Sequence, residues 1–199
     1  MKTELLLELL RSRRSIRRYT GQLIHRESVG KLLEAARWAP SAHNKQHWRW
    51  VILTEAEERE KLAAAMGERL ARTLGPTWIA REGPEDEVQD AHVWIEPPIW
   101  IVAFMSMKGI EPILSEAQHE AERLMAIQSV SAAIQNLLLA AETEGLGATW
   151  HCIPLYMPDV VRDVLGLPED YEPQALITLG HPATEGGEGR RGELEVIWK

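Results

Sequence analysis

The chain has 199 residues, 45% hydrophobic and 26% charged, with a formal net charge of −8 and one cysteine, Cys152. That composition suits one folded domain with its own core, and the acidic balance argues against nucleic acid or an anionic membrane as the main partner, since those sites rest on broad basic surfaces. A lone cysteine cannot close an internal disulfide, and neither a membrane-length apolar run nor a signal-peptide pattern is present, so the expected setting is reducing and cytoplasmic.

In chain order, residues 4–11 place Leu5, Leu6, Leu9 and Leu10 on one face at helical spacing, which predicts a short amphipathic helix. It delivers the chain to residues 11–19, RSRRSIRRY, where five arginines fall in nine positions. From Ser15 the pattern turns extended, which predicts Ser15, Arg17 and Tyr19 on one side and Ile16 and Arg18 on the other. A second helix is expected over residues 27–38, with Val29, Leu32, Leu33 and Ala36 as its apolar stripe and Pro40 preventing its continuation. Next comes APSAHNKQHW (39–48), a loop dense in hydrogen-bonding side chains, wedged between that helix and a strand at 50–54.

Residues 55–74 read as a charged helix stopped by Gly75-Pro76, and 76–98, rich in Pro, Gly and acids, as a connection. The apolar run 99–105 predicts a buried strand. Residues 115–144 contain neither Gly nor Pro and carry an apolar face throughout, longer than one small core needs, so part of this helix is expected to pack on a second protomer. GLGATWHCI (145–153) reads as helix stop, turn and strand, 157–165 as a short helix and 174–179 as a strand. Beyond the Gly-rich arm 185–192, residues 194–198 look strand-like and able to join a neighbouring chain's sheet.

Five clustered arginines in an acidic chain repel one another unless an anion or scattered ion pairs neutralise them. The guanidinium fork suits a phosphate, at about 1.5–3 kcal/mol per charge-assisted hydrogen bond, and solvated surface is the alternative reading. Other chemistries fit less well. His43 and His47 are four apart but lack the glutamate of HExxH, so no metal is expected. Cys152 at the end of an apolar strand reads as a small hydrophobe, not a nucleophile. Gly145-Leu-Gly147 lacks the third glycine of a dinucleotide fingerprint, and no Walker A sequence exists, so a phosphate site must be built from side chains such as Arg13, Arg14, Arg17, Arg190 and Arg191.

The ordered series RRSIR, APSAHNKQHW, SAAIQNLLLAA, GLGATW and GLPEDYEPQALITLGHP, followed by a basic arm, resembles the nitroreductase family of FMN flavoproteins over almost the whole chain. The spacing through its C-terminal half is particularly similar to the nitroreductase-like C-terminal domain of FbiB-type deazaflavin coenzyme glutamate ligases; the ligase domain itself has no counterpart here. The resemblance implies an α+β fold with a central, mostly antiparallel sheet flanked by helices. It further implies one FMN-binding domain over residues 1–199 and a homodimer with a long interface helix, an exchanged C-terminal strand and sites at the subunit interface.

Residue by residue, it implies that Arg13, Arg14 and Ser15 meet the FMN phosphate and ribityl chain and that Arg17 lies near the pyrimidine edge. Pro40, Ser41, Ala42 and Asn44 would reach the flavin held mainly by the other subunit, and Trp150, His151, Cys152 and Ile153 would face the ring with a backbone N–H. Arg190 and Arg191 would close on the phosphate. The implied activity is a ping-pong transfer of a hydride from NADH or NADPH to a small nitro, quinone-like or otherwise conjugated acceptor, with no catalytic side chain assigned. A deazaflavin-type substrate, or flavin binding without turnover, is the alternative. Two departures stand out: His47 replaces a common proline, and Gly192 replaces another.

Overall fold

The computed structural model describes residues 2–74, 97–109, 115–187, 189 and 191–199. Among them are five α-helices, α1 (Lys2–Ser12), α2 (Arg26–Arg37), α3 (Ala56–Leu74), α4 (Glu116–Thr143) and α5 (Pro158–Leu165). Four strands, β1 (Trp48–Leu53), β2 (Ile99–Met105), β3 (Gly147–His151) and β4 (Glu172–Gly180), form one sheet in the order β1-β2-β4-β3. Every pairing in that sheet is antiparallel.

The strand order follows from hydrophobicity. β2 is IWIVAFM and buried at every position, so it needs cover on both faces and takes an inner place in the sheet. Its alternation sorts the core into two layers. Ile99, Ile101, Ala103 and Met105 pack with α2 and α4, whereas Trp100, Val102 and Phe104 pack with α3 and α5. The pairs Lys31–Glu144 at 3.0 Å and Arg69–Asp159 at 2.6 Å tie the two helices of each layer together at their rims.

α4 starts where Ser115 accepts a hydrogen bond from the Gln118 amide at 3.2 Å. Its inward face, Ala126, Val130, Ala133, Ile134, Leu137, Leu138 and Ala141, lies in the core, which fixes the C-terminal two-thirds of the helix. By length and composition α4 could cross a membrane, but that face packs against the sheet, as in the core helix of a folded domain. The first turns are less covered, and Leu124 is exposed.

The expected first helix forms, whereas the expected last strand does not. α1 forms, yet none of its residues is buried, and Leu5, Leu6 and Leu10 remain exposed. Residues 191–199 carry no regular secondary structure in place of the strand expected at 194–198, and Trp198 is 91% exposed. A strand exists only where its amides find a ladder, and within one chain this segment has none. Most of the expected connection at 76–98, and residues 110–114, lie outside the described residues.

Candidate functional site

Residues 15–20 run beside the free edge of β3. Ser15 forms a parallel bridge with Ala148, and the Ile16 amide donates to the Ala148 carbonyl at 3.1 Å. Tyr19 forms a second, antiparallel bridge with Pro182, and the Thr20 amide donates to the His181 carbonyl at 2.8 Å. With single bridges in place of a continuous ladder, the two-residue alternation fails. Ile16 is buried as expected, but Tyr19 also turns inward, and Arg17 and Arg18 both face solvent.

Glycines permit this approach. A Cβ on Gly147 would lie 2.7 Å from the Ile16 side chain, and one on Gly180 would lie 2.5 Å from the Tyr19 ring. Hydroxyls complete the clamp: Tyr19 Oη donates to the Ile16 carbonyl, and Thr149 Oγ1 donates to the same oxygen at 2.5 Å. Tyr19 Oη also lies 2.8 Å from Thr178 Oγ1. Burial pushes the Tyr19 phenol up, so it stays a neutral donor.

The arginines separate into distinct environments. Arg14 Nη1 donates to the carbonyls of Arg11, Ser12 and Arg13, which otherwise end α1 unpaired, so that nitrogen serves as a helix cap. The C-terminal arm covers the same side chain. Gly186, at φ 74, has no room for a Cβ, which would sit 2.9 Å from both Arg14 and Ile16, and Gly189 passes beside the guanidinium. Arg13 is half-buried beside Ser15, and Arg17 stands next to Tyr19 and His151. Among the described residues, neither Arg13 nor Arg17 forms an ion pair with a carboxylate. Arg191 is exposed, and Arg190 lies outside the described residues.

Trp150 and His151 close β3, and Cys152 and Ile153 turn the chain into the 3-10 turn Ile153–Tyr156. Trp150 faces the α2/α4 layer, with its indole N–H buried and unpartnered. His151 faces the other way, its Nε2 3.1 Å from Thr178 Oγ1. Burial, and secondarily the Arg17 cation, push its pKa down to about 4, so the imidazole is neutral near pH 7. The Cys152 thiol is free and exposed.

The loop expected to reach a second flavin packs on α4. Pro40 ends α2, and Ala42–Asn44 forms a 3-10 turn. The Ala42 amide donates to Ser129 Oγ of α4 at 3.1 Å, and the Gln46 amide donates to Ser41 Oγ at 3.1 Å. His43, Asn44 and Gln46 all have φ 52, a left-handed conformation costing an L-residue roughly 1–2 kcal/mol. His43 Nε2 approaches Glu122 Oε1 of α4 at 3.3 Å. His47, 2% exposed, has its pKa lowered by burial, and its Nε2 has no partner.

Arg13, Ser15, Arg17 and the Trp150–Ile153 turn are thus brought to one edge of the sheet, with the 186–189 arm beside them. The loop that carries Pro40, Ser41, Ala42 and Asn44 is held on α4 through Ala42 and His43. Sequence reasoning did not find Tyr19, Thr149, Thr178, Ser129 or Glu122. The available signal was hydroxyls interrupting apolar strands, in GATW and LITL. The donor set suits a phosphate-bearing planar ligand: cations without carboxylate partners among the described residues stand beside a half-buried serine and the end of β3.

Comparison with known proteins follows the geometry. The model of the family described as "Nitroreductase family" matches residues 10–181. An NADH dehydrogenase of Thermus thermophilus is 32% identical over 193 residues, 94% of this chain and 92% of that protein. A candidate nitroreductase from Desulfovibrio desulfuricans, crystallised in complex with FMN, superposes with a TM-score of 0.73 at 28% identity, covering 98% of both chains. An FMN-dependent nitroreductase of Clostridium difficile shares the fold, with a TM-score of 0.67 at 21% identity over 92% of this chain and 91% of that one. With the family model spanning most of its length, the antiparallel four-stranded sheet and the helices on both faces, this chain belongs to the nitroreductase family.

Proposed function

We propose that the chain is an FMN-dependent NAD(P)H oxidoreductase and that residues 1–199 form one FMN-binding domain. The observation that carries this reading is the pair of cations, Arg13 and Arg17, without a carboxylate partner among the described residues, on a segment hydrogen-bonded to the strand that ends at Trp150 and His151. When bound, FMN supplies the hydride-accepting and hydride-donating chemistry, as the FMN complex of the Desulfovibrio desulfuricans relative suggests. In this reading Arg13 and Ser15 hold the phosphate end, assisted by whatever Arg14 retains beyond its helix cap and by Arg190 or Arg191. Arg17 holds the ring end, and a backbone N–H among Trp150, His151, Cys152 and Ile153 orients the ring.

The second half of each site comes from Pro40, Ser41, Ala42 and Asn44 of another copy, in a cytoplasmic homodimer. The bare α1 face, Leu124 and the unpaired 191–199 segment supply apolar surface for that assembly. NADH or NADPH and a small conjugated, nitro or quinone-like acceptor then use the site in turn. The similarity to FbiB-type domains makes a deazaflavin the second acceptor class to assay.

Absorption spectroscopy and anaerobic titration test the reading. The purified protein is expected to carry FMN or take it up, and NADH or NADPH is expected to bleach it. Failure to take FMN overturns the flavin assignment; stable colour with both nucleotides overturns the turnover assignment. A monomer by light scattering that still turns over removes the second copy from the site.

A further inference from the structure

His151 is a partly buried group for which the flavin reading gives no side-chain role. Its Nε2 begins a chain of contacts that ends at the peptide immediately before Arg17. The steps are 3.1 Å to Thr178 Oγ1, 2.8 Å from there to Tyr19 Oη, and a hydrogen bond from Tyr19 to the Ile16 carbonyl.

Counting protons sets the direction of the chain. Tyr19 has one hydroxyl proton, and its closest contact, the Ile16 carbonyl, can only accept. The 2.8 Å contact between Tyr19 and Thr178 then needs the threonine proton. With that proton spent, the contact between Thr178 and His151 needs a proton on Nε2. The opposite assignment, Tyr19 donating to Thr178 and Thr178 to His151, leaves the Ile16 carbonyl with the Thr149 proton alone, although that oxygen is the closest contact of Tyr19 Oη. With Tyr19 donating at its closest contact, the chain takes the Nε2–H tautomer of His151. Arg17, the charged donor set against this ring, departs from the peptide whose carbonyl is pinned by both Tyr19 and Thr149.

We propose that His151 is a positioning residue for the ring end of the flavin site. In its Nε2–H form it fixes the Ile16–Arg17 peptide through Thr178 and Tyr19, and so sets where the exposed Arg17 guanidinium meets the ligand. The inference rests on the flavin reading above. A cation held at the ring favours the electron-rich reduced flavin, so His151 tunes the cofactor's potential without touching it. Hydroxyls linked in one direction polarise one another, so loss of the terminal donor is felt at Ile16.

The midpoint potential of bound FMN is the primary readout. His151→Leu is expected to lower the preference for reduced flavin about tenfold, equivalent to about 30 mV for a two-electron couple. His151→Gln, whose amide can replace the Nε2–H donor, is expected to restore most of it. Arg17→Ala should shift the potential in the same direction, and His151→Leu added to Arg17→Ala should shift it no further. If Arg17→Ala lowers the potential while His151→Leu and His151→Gln both leave it unchanged, the positioning role is overturned and the flavin reading stands.

A second measurement does not depend on the cofactor. Nitrogen-15 shifts of the apo-protein are expected to report the Nε2–H tautomer at His151, and the Nδ1–H tautomer would overturn the chain. Failure of the wild-type protein to bind FMN would instead sink the flavin reading itself.

Discussion

Residues 13–20 and residues 40–48 both belong to the candidate site, but different forces hold them. The first segment is fastened inside its own chain: the Ile16 amide and carbonyl are both paired, Tyr19 is seated over Gly180, and a buried hydroxyl–imidazole chain stands behind it. The second is fastened by the buried Ser129 hydroxyl, by Ser41 and by one exposed histidine–glutamate contact, and it holds three L-residues at φ 52. Buried networks resist substitution because an orphaned polar group has no water to turn to; surface loops tolerate it. The difference teaches that the segment fastened to β3 is specified by packing, while the 40–48 loop is specified more by backbone shape.

Acid should break the comparison most visibly. His151 has its pKa depressed from 6.5 to about 4, by burial first and Arg17 second. The unfolded chain therefore takes up a proton below 6.5 that the folded chain refuses. Stability is full above that pH and falls as pH drops towards about 4, by on the order of 3 kcal/mol. Urea melts across this range should show the loss, and His151→Leu should flatten it; an equal loss in the variant would contradict the assignment.

Removing the phosphate-end cation comes next. Arg13→Ala should weaken FMN binding about tenfold to a hundredfold, the equivalent of about 1.5–3 kcal/mol for a charge-assisted hydrogen bond. Fluorescence titration of the apo-protein would detect this, and an unchanged dissociation constant would remove Arg13 from the site. Gly180→Ala should cost about 1–3 kcal/mol in stability, because the new methyl meets the Tyr19 ring on one side and Pro98 on the other. Its Tm should fall, and a variant as stable as wild type would mean that Tyr19 can be displaced without cost.

The loop side should respond weakly. His43→Ala removes a contact to Glu122 from a side chain that is 59% exposed, so thermal stability should change by less than about 1 kcal/mol. Gln46→Gly relieves a φ of 52 while keeping the amide bond to Ser41, and stability should stay level or rise by about 0.5 kcal/mol. A large loss from either would erase the contrast between the two segments.

Much of the fold was legible in the sequence because its signals are local. Hydrophobic periodicity marked α2, α3 and α4, the continuous apolar run marked β2, and Pro40 and Gly145 marked helix ends to within a residue or two. The arginine cluster, the 40–48 loop and the GLGATW strand could be singled out because unusual residue types were concentrated in them. Those signals, with the motif order, were enough to indicate the family.

What the tertiary structure alone decided is how these parts meet. Tyr19 was assigned to the same side as Arg17, but single bridges to β3 and to Pro182 leave it free to turn inward over Gly180. Arg14 looked equivalent to Arg13 until the end of α1 supplied carbonyls for it to cap. His151 was expected to face the ring through its backbone, and only Thr178, on the neighbouring strand and 27 residues away, gave its Nε2 a partner. Local pattern specifies which residues are helical, extended or buried, because those properties depend on neighbours along the chain. Proton direction, cap and clamp depend on partners that only folding brings within hydrogen-bond reach.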